Sequence, residues 1–184
     1  MQITVNIGAN EQLILYVGSL EQRRNPLFIA ELASKASPDQ HFVMVGEGLC
    51  RAEVVAVQKE RFLNNLHLIG RLNQQELPAL YEQSDVFILP SNYEIYGMVV
   101  AESLFFGTPV VSTRTVGPVD IIEGKVQGCL MPNINVNEWL TALSLYGASS
   151  IDANSNAERT SYAEGRFDWA TIAREYLRLI SAAP

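Results

Sequence analysis

A chain of 184 residues with 48% apolar side chains is one domain long and can bury a substantial core. Its net charge of −7, with no run of like charges, argues against a nucleic-acid partner and against electrostatic docking to an anionic membrane. Cys50 and Cys129 are too few for a disulfide framework and their spacing to His41 and His67 fits no metal signature, so no metal is expected and a reducing cytoplasm is the default compartment.

The segment Met1-Gln2-Ile3-Thr4-Val5-Asn6-Ile7 lacks the basic region and long apolar stretch of a signal peptide, and no apolar run approaches membrane-spanning length. A soluble protein without direct membrane contact is expected. Short apolar runs then alternate with helix-length amphipathic segments. Strands are predicted at Leu13–Val17, His41–Val45, Leu66–Ile69, Val86–Leu89, Pro109–Ser112 and Gly128–Met131. Helices are predicted at Pro26–Lys35, Cys50–Phe62, Gln75–Gln83, Gly97–Phe106, Val119–Glu123, Val136–Tyr146 and Tyr162–Ser181. Asn25-Pro26 reads as an N-cap with proline at the first helical position, and Asn73 with Glu76 as a capping pair. The polar stretch Ser149–Asn156 reads as a linker. The pattern is that of an α/β, doubly wound parallel sheet, with residues 1–150 forming the Rossmann-like domain and 151–184 a linker and C-terminal helix packed on it.

In such a sheet ligands collect beyond the carboxyl ends of the strands. The most informative stretch lies there: Ser91 to Pro109 places Glu94 and Glu102 on either side of Gly97, just after the apolar run Val86–Leu89. Gly97 is read as opening a helix and Gly107 as closing it. The free N–H groups at the helix start attract a phosphate or diphosphate. Two carboxylates beside an anion site would repel the anion, so neutral hydroxyls are their expected partners, and a nucleoside-diphosphate sugar supplies both.

Together with Tyr16-Val17-Gly18-Ser19-Leu20, Val45-Gly46-Glu47-Gly48, Leu68-Ile69-Gly70-Arg71, Ser84-Asp85-Val86 and Phe167-Asp168-Trp169, this segment resembles the retaining GT-B glycosyltransferases of the glycosyl transferases group 1 family (glycosyltransferase family 4). The likeness covers nearly the whole chain but only the C-terminal, nucleotide-sugar-binding half of a GT-B fold. It implies a hexosyltransferase using a UDP- or GDP-sugar, with no metal or other cofactor. It also implies a partner in the missing N-terminal domain, which carries the acceptor site, and little activity for this chain alone. In a full-length enzyme the resemblance is compatible with a cytoplasmic place peripheral to the inner membrane and with polysaccharide biosynthesis. Glu94 becomes the catalytic-site carboxylate that holds the donor sugar's outer hydroxyls, and Glu102 the ribose clamp. Ile95, Tyr96, Gly97, Met98 and Val99 line the site, partly through backbone amides. Gly18, Ser19 and Arg24 face the diphosphate, and Arg71 and Leu72 the base.

Each assignment has a plainer competitor. Alone, Glu94 is an ordinary loop carboxylate and Glu102 a charge favoured near a helix start; their pairing about Gly97 is what tips the balance. Arg23-Arg24 could be a solvated pair, and Ser19 stands where the family commonly has arginine. Gly117-Pro118-Val119-Asp120 resembles a second glycine-rich turn, with Val116 where a glycine often stands, and such turns are mostly structural. Gly46-Glu47-Gly48 opens a dinucleotide fingerprint that Arg51 breaks, which discounts NAD. His41 and His67 read as strand-edge residues, and Trp169 with Phe167 as packing. The rivals are an epimerase or phosphorylase half, for which Lys35, Lys59 and Lys125 offer no convincing pyridoxal site, and a non-catalytic binding module.

Overall fold

The computed structural model describes residues 7–8, 10–146, 153–168, 170–174 and 178. Six strands, β1 (Gln12–Val17), β2 (Gln40–Val45), β3 (Leu66–Gly70), β4 (Val86–Leu89), β5 (Val110–Thr113) and β6 (Gly128–Met131), form one parallel sheet in the order β3-β2-β1-β4-β5-β6. Every residue of β1, β4 and β5 is buried, because a parallel strand covered on both faces by crossover helices has no side for water. The edge strands β3 and β6 have half-exposed middles. Buried Gln12 and Gln40 start neighbouring strands; Gln40 Nε2 donates to Gln12 Oε1 at 2.7 Å and Gln12 Nε2 to the Leu143 carbonyl at 2.7 Å, so neither amide is left unpaired.

On one face α1 (Pro26–Lys35) lies between α2 (Arg51–Glu60) and α6 (Val136–Leu145), with Phe28 edge-on to the fully buried Trp139 at 5.4 Å. On the other, α4 (Met98–Phe105) lies against α5 (Val116–Ile121) and α7 (Ala153–Phe167), and meets α3 (Leu77–Gln83) where Tyr81 stacks on Phe106 at 5.6 Å. The chain winds outward from β1 to β3, then returns to place β4 beside β1. Their following loops diverge at this switch point, which opens a crevice at the carboxyl edge.

The expected strands are all present to within a residue at either end. Helix ends differ more. α5 begins at Val116, three residues before the expected start, since Pro118 fits a first turn where no amide donor is needed. α3 begins at Leu77 because Asn73 Oδ1 takes the amides of Gln75 and Glu76 in a turn of its own. α2 ends at Glu60, short of Phe62, whose φ is +53°. The largest correction concerns the expected linker and the start of the final helix: α7 already starts at Ala153 and ends at Phe167, and after a break at Asp168 residues 170–174 and 178 are again helical, within the expected span Tyr162–Ser181. Its anchors are tertiary. Arg159 is buried, with Nε donating to the Gly107 carbonyl at 2.5 Å and Nη1 to that of Val126 at 3.0 Å, while the Tyr162 hydroxyl donates to Ile121 at 2.6 Å. Those contacts override the weak helix propensity of Asn154, Ser155 and Asn156. Ser149–Asp152, Trp169 and the expected helical positions Tyr176, Leu177 and Ile180 lie outside the described residues.

Candidate functional site

The loops following β1 and β4 meet across the switch point. After β1, a 3₁₀ turn over Gln22–Arg24 leaves Arg23 exposed and turns Arg24 inward. Asn25 sits at the head of α1 as expected but in the left-handed region, with φ +53° and ψ +49°, so its side chain does not cap that helix. Instead its Nδ2 donates to the Pro90 carbonyl at 2.6 Å and to Asn92 Oδ1 at 2.7 Å, and the Asn92 amide donates to Arg23 O at 2.8 Å. These bonds fasten one loop to the other.

Arg24 Nη1 pairs with Glu94 Oε2 and donates to Ser91 Oγ at 3.3 Å. The two charged side chains are only 16% and 11% exposed. Arg24 Nε is buried and, among the described residues, has no hydrogen-bond partner. Glu94 Oε1 accepts the Gly97 amide at 3.2 Å. Burial acts to raise the Glu94 carboxyl, but the bonds from Gly97, Arg24 and Tyr96 outweigh it and hold it below the ordinary glutamate value. Gly97 stands immediately before α4 with φ +67°, a conformation L side chains rarely adopt. Gly117 presses on the same turn: its amide donates to Glu94 O at 3.0 Å, and a Cβ there would lie 2.5 Å from the Tyr96 carbonyl carbon. The second glycine-rich turn is therefore the floor under residues 94–97. The amides of Met98 and Val99, first in α4, have no acceptor within the helix.

Glu102 lies half-buried one turn further along α4, where its Oε2 accepts the Tyr81 hydroxyl at 3.1 Å. Burial raises its carboxyl and the Tyr81 bond draws it partly back. Beyond β1–β3 a cleft of about 230 Å³ is lined by Gly18, Ser19, Gly46, Glu47, Arg71 and Leu72. Its walls are laced by backbone bonds from Gly18 to Val45, Leu20 to Glu47 and Gly46 to Gly70, at 2.8–3.0 Å. Here Gly46-Glu47-Gly48 serves to bind strand ends together. The Ser19 carbonyl accepts the Tyr16 hydroxyl at 2.8 Å, and burial pushes that phenol up.

The fold thus gathers Arg24, Glu94, Ile95, Tyr96, Gly97, Met98 and Val99 about one turn, with Glu102 deeper and Gly18, Ser19, Arg71 and Leu72 in the neighbouring cleft. Ile95, Tyr96 and Met98 are exposed, Gly97 buried. Sequence reasoning missed Ser91, Asn25 as a loop tie, and Tyr81. A tyrosine at a buried helical position was the only available signal, since its hydroxyl must find a partner. His41 and His67 open β2 and β3 at the far, amino edge, with Nδ1 and Nε2 3.1 Å apart. Among the described residues no three ligating side chains cluster for a metal. Lys35 and Lys59 end or nearly end α1 and α2, and Lys125 precedes β6, so all three lysines sit toward the amino edge too. No helix among the described residues is long and apolar enough to cross a membrane.

The family described as glycosyl transferases group 1 matches residues 3–161 of this chain. Among curated proteins, the chain is 27% identical over 180 residues to a glycogen synthase of Mycobacterium tuberculosis, covering 92% of this chain and 42% of that one. It is 27% identical over 148 residues to a UDP-Gal:alpha-D-GlcNAc-diphosphoundecaprenol alpha-1,3-galactosyltransferase of Escherichia coli, covering 76% and 37%. The crystal structure of Anabaena Alr3699/HepE in complex with UDP-glucose superposes with a TM-score of 0.82 at 20% identity, over 95% of this chain and 50% of that one, a likeness of fold. The chain spans less than half the length of these curated relatives.

Proposed function

The chain belongs to the glycosyl transferases group 1 family, and we propose that it is the donor-binding half of a retaining enzyme that moves a hexose from a UDP- or GDP-sugar to a glycan or lipid acceptor. The observation that carries this reading is the Arg24–Glu94 pair at the head of α4, with a buried, unpartnered Arg24 Nε and the free amides of Met98 and Val99 beside it. Cationic and amide donors suit a diphosphate, and a carboxylate held ionised suits sugar hydroxyls. In this scheme Arg24 and the helix start stabilise negative charge as the diphosphate departs, Glu94 orients the transferred sugar, and Glu102 takes the ribose diol. The base enters the cleft between Ser19 and Leu72, beside Arg71.

A second GT-B domain supplies the acceptor site and closes the crevice. It would dock on the carboxyl edge, where Tyr93, Ile95, Tyr96 and Met98 are exposed. In the full-length enzyme this domain works in the cytoplasm, and any membrane attachment lies in the other half. The lysines' place toward the amino edge disfavours a pyridoxal-dependent phosphorylase.

The test is a melting-temperature screen with UDP, GDP and ADP, then with the sugar nucleotide of whichever stabilises the chain, because a ligand binding only the folded state raises its stability. Failure of all three would reject the reading. Transfer assays on the parent polypeptide, with the anomer of the product determined, then test retention.

A further inference from the structure

We propose that Tyr81, on the helix between β3 and β4, is the positioning residue that aims the Glu102 carboxylate for the ribose; this rests on the reading of Glu102 given above. Tyr81 is 1% exposed. Its ring is clamped between Phe106, stacked at 5.6 Å and 9°, and Phe87, tilted at 5.7 Å. Its carbonyl accepts Thr108 Oγ1 at 2.6 Å, which ties α3 to the turn after α4. The phenol is thus fixed in place before any ligand arrives.

A hydroxyl buried so deeply is costly unless bonded, and its partner is Glu102 Oε2 at 3.1 Å. Glutamate has three side-chain torsions and would otherwise lose that freedom only on binding. The bond from Tyr81 restricts the carboxylate in advance. Because the phenol occupies one acceptor position on Oε2, Oε1 and the remaining lone pair of Oε2 stay available. Two acceptors held in a known orientation are what a vicinal diol requires. Among the described residues, none of the crevice itself does this for Glu102; the support comes from beneath, from another helix.

The discriminating measurement is a ratio. Wild-type, Y81F and E102Q chains are titrated calorimetrically with whichever of UDP, GDP and ADP the wild-type chain binds, and with its 2′,3′-dideoxy counterpart. Wild type should prefer the ribonucleotide about tenfold or more, and E102Q should lose most of that preference. Y81F retains the ring and its stacking, so it should melt within a few degrees of wild type. Its preference should fall about three- to tenfold, with dideoxynucleotide affinity unchanged. If E102Q abolishes the preference while Y81F keeps it, or if Y81F weakens both nucleotides equally, the positioning role is wrong and the ribose reading survives. If E102Q keeps the wild-type preference, or none of the three nucleotides binds, the ribose reading fails and the inference with it.

Discussion

The Arg24–Glu94 pair makes a prediction that neither residue alone would suggest. Both side chains are largely withdrawn from water, so in the free protein each neutralises the other. A diphosphate approaching Arg24 meets a cation already partnered and an anion beside it. A carboxylate about 6 Å from a phosphate charge opposes it by about 3 kcal/mol at an effective dielectric of about 20. Screening at the rim of the crevice leaves about 1–1.5 kcal/mol of that. Glu94→Gln removes the opposing charge and frees Arg24 while keeping the side chain's shape. The free nucleoside diphosphate should therefore bind about tenfold tighter. The sugar nucleotide should gain the same but forfeit charge-assisted bonds to its hydroxyls, each contributing about 1.5–3 kcal/mol. The ratio of the two affinities should thus shift by about tenfold or more against the sugar nucleotide. Calorimetric titration with UDP and a UDP-sugar, or the GDP pair, reads both. Equal weakening of the two ligands would show that Glu94 acts only by holding the loop, and would refute the electrostatic argument.

Other outcomes follow from the same geometry. Gly117→Ala places a methyl group 2.5 Å from the Tyr96 carbonyl carbon, so it should cost about 1–3 kcal/mol in denaturant unfolding and also weaken nucleotide binding by displacing residues 94–97. Trp139→Ala, in the helical layer behind the sheet, should cost about 3–5 kcal/mol in the same assay. Burial, with His41 beside it, lowers the folded-state pKa of His67 below the ordinary imidazole value of 6.5. The unfolded chain then takes up the proton first, so this contribution is complete above about pH 6.5 and is lost as pH falls through the folded value. Melting temperatures from pH 8 to 4 should decline less for His67→Gln than for wild type.

The fold was legible because burial on both faces makes parallel strands near-continuous apolar runs. Val86–Leu89 and Gly128–Met131 match the sequence reading at both ends. The head of α7 was not legible. Asn154-Ser155-Asn156 has the composition of a linker, and the groups that make it helical, Gly107 and Val126, lie 52 and 33 residues from Arg159. Asn25 failed for a related reason. Its type and its place before a proline are those of a cap, but the left-handed backbone points its amide across the crevice to Pro90, 65 residues away. Local chemistry was read correctly as to position and wrongly as to partner.

The site divides along the same line. Glu94, Gly97 and Glu102 announce themselves by spacing within one turn and helix, whereas Ser91, Tyr81 and the Arg24–Glu94 pair depend on contacts between elements. That pair also bears on what net charge can say. A chain of −7 is poorly suited to attract a polyanion over distances beyond a Debye length. A diphosphate seated at the head of α4, as proposed, would instead meet a nearly neutral ion pair together with two helix amides and a guanidinium nitrogen that have no partner among the described residues. Its attraction would come from oriented dipoles and short hydrogen bonds, which act within a few ångströms and are only weakly screened there. Added salt should therefore change nucleotide affinity little, whereas a repulsion set by the overall acidity of the chain would be screened and binding would tighten as salt is added.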